Sequence, residues 1–128
     1  MRELGIGLVP YSPLGRGFFT AIVDVDELQA DDMRRRNPRF ADGAAKANQP
    51  LLDTVRSIAR ARDSTPAQIA LAWVIAQSDR LGIPVVPIPG TKRPARVEEN
   101  ACAVDVALSA ADLAALSRLA DHVVGARY

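Results

Sequence analysis

Residues 9–17 read Val9-Pro10-Tyr11-Ser12-Pro13-Leu14-Gly15-Arg16-Gly17. They follow the apolar run LGIGLV at 4–9. A plain turn needs far less than a tyrosine, two prolines, two glycines and an arginine. Such dense punctuation after a buried-looking strand predicts a backbone shaped around a ligand. Gly15 and Gly17 relax the chain there, and Ser12 and Arg16 supply donors. Tyr11 presents a flat face that either stacks on an aromatic ligand or closes a core.

A second apolar run ends the same way. Residues 83–88 (IPVVPI) lead into Pro89-Gly90-Thr91-Lys92-Arg93-Pro94. In the first run, over 6–9, the apolar residues sit side by side instead of alternating, which predicts a parallel strand covered on both faces, and 83–88 reads as a second short apolar strand. Pro84 and Pro87 disfavour a long regular ladder. Between the runs lie helical patterns. Leu51, Leu52, Val55, Ile58 and Ala59 recur at three- and four-residue spacing, predicting an amphipathic helix over 50–62. Thr65, Pro66 and Gln68 have the order of a capping box with proline at the first helical position. The helix they start, 67–78, is apolar nearly all round and is expected to be well buried, with Trp73 in the core. Helices are also expected over 95–103 and from Ser109, with Asp112 three residues on.

From 18 to 50 the periodicity fails. Acids (Asp24, Asp26, Glu27, Asp31, Asp32) precede a basic stretch, and the whole reads as a long connection with one short helix. Strand, helices, strand and helices in this order form a parallel unit with a right-handed crossover. Ligands in such folds sit beyond the carboxyl ends of the strands, where both unusual loops lie.

Composition bounds the function. The 128 residues are 48% hydrophobic and 24% charged with net charge +1, a soluble single-domain composition. That balance gives no support for a nucleic-acid or membrane surface. The lone Cys102 forms no internal disulfide and is expected to be an ordinary half-buried thiol. A leader or membrane-spanning run is not seen, which predicts a cytoplasmic protein. No metal-ligand cluster stands out.

The second loop carries the chemistry of an anion site. Gly90 allows close backbone approach, Thr91 offers a hydroxyl and Lys92 a point charge. Arg96, Glu99 and Asn100 share one helix face. Arg96 suits a phosphate or a flat ring, and Glu99 and Asn100 suit a purine edge. A solvated helix start with an Arg96–Glu99 pair explains the same residues.

Taken in order, VPYSPLGRGFFT, DDMRRRNPRF, STPAQIALAWVIAQ and VVPIPGTKRPARVEEN closely resemble the C-terminal part of the aldo-keto reductases. The resemblance covers nearly the whole chain. It implies an α/β fold: part of a (β/α)8 TIM barrel, with 6–10 and 83–88 as its last two parallel strands. It implies NADPH as cofactor and reduction of aldehydes or ketones in the complete enzyme. Tyr11 would stack on the nicotinamide, and Ser12, Leu14 and Arg16 would line the pyrophosphate. Gly90, Thr91, Lys92 and Arg96 would hold the adenosine side, with Lys92 and Arg96 near the 2′-phosphate. Glu99 and Asn100 would meet the adenine.

The family's catalytic tyrosine, lysine, aspartate and histidine come from the N-terminal half of the barrel. No residue of 1–128 matches them, so no catalytic residue is assigned. Lys46 lies in the long connection, His122 reads as a surface residue and Tyr128 as a terminal packing contact. Two strands cannot close a barrel. Their open edges could pair with a partner chain or a second copy. The expectation is the C-terminal NADPH-binding segment of an oxidoreductase, inactive alone. The alternatives are a non-catalytic NADPH- or partner-binding module and an inert remnant.

Overall fold

The structure, a computed structural model, describes residues 1–20, 27–41 and 43–127. Asp24, Asp26 and Tyr128 lie outside the described residues. Five α-helices carry the described fold: α1 (Ala44–Ala47), α2 (Gln49–Ala61), α3 (Pro66–Leu81), α4 (Pro94–Ala101) and α5 (Ala110–Arg118).

The capping box predicted at Thr65 forms. Thr65 Oγ1 accepts from the Gln68 N–H at 3.2 Å, and Gln68 Oε1 accepts from the Thr65 N–H at 2.9 Å. Gln68 Nε2 also donates to the Glu99 carbonyl at 3.0 Å. One side chain therefore starts α3 and ties it to α4. Ser109 and Asp112 form a second capping box at α5. Asp112 then pairs with Arg62, just past the end of α2. Between these anchors α2 buries Leu51, Leu52, Val55, Ile58 and Ala59, the residues its periodicity selects. Val55, Ile58 and Ala59 meet Ile69 of α3 and Leu116 of α5 in one core cluster.

The described residues of the 18–50 connection are more ordered than the sequence pattern predicts. They include the end of a kinked 3-10 segment at Gly15–Thr20, a 3-10 turn at Met33–Arg36 and α1. Leu28, Phe40, Asn37 and Asn48 are buried in it. Irregular backbone packs here through single side chains, which leave no periodic trace.

The two apolar runs meet in parallel, but as isolated bridges, Leu8 with Val85 and Tyr11 with Ile88, and not as the full strands expected over 6–10 and 83–88. The register is regular. Leu8 N–H donates to the Pro84 carbonyl at 2.7 Å, Val86 N–H to Leu8 at 2.9 Å and Ile88 N–H to Pro10 at 3.4 Å. Between the last two bonds the register calls for the Pro10 N–H as donor to the Val86 carbonyl, which proline cannot supply, so that one rung is missing.

Burial along the runs alternates, which corrects the expectation of two covered faces. Val85 is buried, and its N–H donates to Ser78 Oγ of α3 at 3.0 Å. On the other face Val9, Tyr11, Val86 and Ile88 are 60%, 51%, 57% and 51% exposed. Two further expectations are corrected. α3 is fully buried only in its first half, at Ala67, Ile69, Leu71 and Ala72, while Trp73 to Ser78 are half-buried. Trp73 packs on the core cluster, and its Nε1 donates to Ser117 Oγ at 3.2 Å. Cys102 is exposed, because it stands where α4 gives way to a 3-10 turn whose buried residue is Ala103. No helix among the described residues is long and apolar enough to cross a membrane.

Candidate cofactor site

The Tyr11–Ile88 bridge sets the two unusual loops side by side. After Tyr11 the chain turns through left-handed backbone at Ser12 (φ 52°), Gly15 (φ 58°), Arg16 (φ 58°) and Gly17 (φ 94°). Glycine takes this conformation at no steric cost, whereas Ser12 and Arg16 are strained in it. Local hydrogen bonds hold the turn. Gly15 N–H donates to Ser12 and Gly17 N–H to Leu14, both at 3.0 Å, and Thr20 Oγ1 donates to Gly17 at 2.7 Å. Phe19, one residue before the end of this segment, packs on the central cluster. The second loop is set by Thr91, whose Oγ1 accepts from the Arg93 N–H at 3.1 Å. The hydroxyl proton stays available to a ligand. Pro94 then opens α4.

A cavity of about 710 Å³ lies between the loops. Tyr11, Ser12, Leu14 and Arg16 line it from the first. Gly90, Thr91, Lys92, Arg96, Glu99 and Asn100 line it from the second. All ten residues singled out in the sequence therefore surround one space. Its size is that of a small-molecule or cofactor site. A Cβ added at Gly90 would meet nothing within 4 Å, so the bare backbone there faces open space. Arg96 is half-buried and, among the described residues, forms no ion pair with Glu99. The simple helix-surface pair is not what holds it.

Two cations on this cavity carried no role in the sequence reading, Arg34 and Arg93. With Arg16, Lys92 and Arg96 they outnumber the Glu99 carboxylate of the same lining, even with Arg34 paired to Asp32, so the lining is net positive and suits an anion. Arg34 gets there by local chemistry. Asp32 caps the Met33–Arg36 turn, accepting from the Arg34 N–H at 2.9 Å. Its carboxylate grips the Arg34 guanidinium at 2.9 and 2.6 Å, and Arg34 Nη1 reaches the Arg16 carbonyl at 3.5 Å. The only sequence trace is an aspartate two residues before an arginine in DDMRRRNPRF.

The side-chain and then the backbone hydrogen bonds from Arg34 lower the Asp32 pKa from 3.8 to about 2. The folded form thus binds this proton less readily than the unfolded chain does. The pair's stabilisation is complete above about pH 3.8 and is lost as the pH falls through about 2. A carboxyl-carbon NMR titration should give Asp32 a midpoint well below its ordinary value. An ordinary midpoint would mean that the Asp32–Arg34 pair is not formed.

The remaining reactive side chains stand apart from the cavity. His122, Lys46 and Cys102 are exposed and none lines it.

Residues 1–121 match the model of the aldo/keto reductase family. The chain is 40% identical over 129 residues to "Probable aldo-keto reductase 1" of Glycine max, covering 99% of this chain and 36% of that protein. It is 42% identical over 130 residues to aldo-keto reductase yakc of Schizosaccharomyces pombe, named with NADP(+), covering 99% and 37%. Among solved structures it resembles a thermostable aldo-keto reductase in complex with the inhibitor epalrestat. The TM-score is 0.60 and the identity 26%, over 92% of this chain and 31% of that one. The chain belongs to the aldo/keto reductase family. It spans about a third of the length of these relatives. Family and structural likeness together place it in the TIM-barrel fold class.

Proposed function

We propose that residues 1–128 are the C-terminal, NADPH-binding segment of an aldo-keto reductase, contributing the last two barrel strands and their helices to a cytoplasmic oxidoreductase. The observation that carries this reading is the gathering of ten residues from two loops around one basic cavity. The exposed face of Val9, Tyr11, Val86 and Ile88 supports the partial barrel, since closure would turn one face of every strand inward. The same face and the open edges suit a partner chain or a second copy.

In this reading Tyr11 stacks on the nicotinamide, and the Ser12, Leu14 and Arg16 turn cradles the pyrophosphate. Lys92 and Arg96 meet the 2′-phosphate, with Gly90 and Thr91 beneath the adenosine and Glu99 and Asn100 at the adenine. The cofactor supplies the hydride that a carbonyl carbon accepts in the complete enzyme, while an acid protonates the oxygen. No residue of this chain stands in the place of that acid, so the 128 residues alone are expected to bind without turning over.

A fluorescence titration with NADPH, with NADH as control, tests the reading. Saturable, NADPH-selective binding without consumption of a generic aldehyde is expected. Turnover by rigorously pure protein would refute the assignment of no catalytic residue. Absence of binding would show that the two loops do not make a working site in this chain.

A further inference from the structure

Residues 124–127, beyond α5, are held down with unusual care. Asn48 Oδ1 accepts from the Val124 N–H at 2.8 Å, and Asn48 Nδ2 donates to the Val124 carbonyl at 3.0 Å. Asn37 Nδ2 donates to the Arg127 carbonyl at 3.2 Å. Arg39 Nε approaches the Gly125 carbonyl at 3.4 Å. Asn37 and Asn48 are the buried polar side chains among the described residues, 6% and 4% exposed. Burying an amide is unfavourable unless its hydrogen bonds are met, and the backbone of this segment meets them together with that of Arg39. Gly125 lies so close to the 37–40 turn that a Cβ there would stand 2.5 Å from the Pro38 carbonyl, and its φ of +91° also excludes most side chains.

This anchoring delivers one side chain. The Arg127 guanidinium carbon sits 4.8 Å from the centroid of the Tyr11 ring, within cation–π range. Tyr11 lines two cavities, the 710 Å³ cofactor cavity and a smaller one of about 160 Å³. Arg127 lines only the smaller. Arg127 therefore meets the ring at the smaller cavity and is absent from the lining of the cofactor cavity. We infer that residues 124–127 form a strap, and that Arg127 is a positioning residue that backs the Tyr11 ring so its opposite face is presented to the nicotinamide. Tyr11 is otherwise half in solvent and stands just before the left-handed turn that begins at Ser12, so its own neighbours do little to fix the ring.

The inference rests on the cofactor site proposed above, and the experiment separates the two. NADPH and 2′,5′-ADP, which carries the 2′-phosphate but no nicotinamide, are titrated by calorimetry into the parent chain, Arg127→Ala and Arg127→Lys. Arg127→Ala should weaken NADPH roughly fivefold, the scale of one exposed cation–π contact, and leave 2′,5′-ADP unchanged. Arg127→Lys should restore part of the loss. Equal weakening of both ligands, or unchanged or tighter NADPH binding, would overturn the positioning role. Failure of the parent chain to bind either ligand would instead defeat the cofactor site, and the platform role with it. The strap itself is read in the free chain from nuclear Overhauser contacts between the Tyr11 ring and the Arg127 side chain; their absence overturns it.

Discussion

Replacing Ile69 with alanine is expected to destabilise the chain by about 2–5 kcal/mol. Ile69 is 0% exposed and occupies the first turn of α3, where Val55, Ile58 and Ala59 of α2 and Leu116 of α5 converge. Alanine removes the transfer energy of the lost methyl and methylene groups and leaves a cavity. Three helices pinned by capping boxes and the Arg62–Asp112 pair have little freedom to collapse into it. Total stability of a domain this size is only about 5–15 kcal/mol, so the loss would be a large share of it. Urea unfolding should show a lower midpoint with little change in slope. Ile69→Val should cost about 0.5–1.5 kcal/mol. A loss below ~1 kcal/mol for alanine would mean that this cluster is not the packed core. The effect should reach the cofactor loop, because Phe19 packs on the cluster and its N–H donates to Leu14 at 3.2 Å.

The helices were legible because their signals are local. Three- and four-residue spacing selected the buried face of α2, and Thr65 with Gln68 marked the start of α3 to the residue. The ten cavity residues were legible for a related reason. Both loops follow runs whose pairing brings their ends together, so two separate motifs line one cavity. What escaped depends on contacts between distant parts of the chain. Pro10 sits at the rung where the ladder needs a donor, a fact visible only once the register with 84–88 is known. The exposure of Val9, Tyr11, Val86 and Ile88 was hidden because continuous apolar runs look alike whether one face or both are covered. Arg34 reaches the cavity through Asp32 and a turn that periodicity does not register. Arg127 meets Tyr11 only because Asn37 and Asn48, unremarkable as letters, are buried beneath its backbone.

Replacing Arg96 with alanine should weaken NADPH by about 1.5–3 kcal/mol, the worth of a hydrogen bond to a charged group, and NADH far less. Arg96 is half-buried on α4 and lines the cavity beside Lys92, and it forms no ion pair with Glu99 among the described residues. Its guanidinium is thus not committed to that neighbour and can offer a planar fork to a phosphate. NADH lacks the 2′-phosphate, so it gains little from this contact. The variant should accordingly lose cofactor selectivity as well as affinity. Some preference for NADPH should survive, because Lys92 remains as a point charge. Arg96→Lys should fall between, keeping the charge but not the bidentate geometry. The difference should shrink as salt is raised, since the contact is electrostatic and the cavity is open to solvent. Parallel loss for both cofactors would move Arg96 from the 2′-phosphate to a part that NADPH and NADH share, such as the pyrophosphate or the adenine. No loss for either would return it to the helix surface.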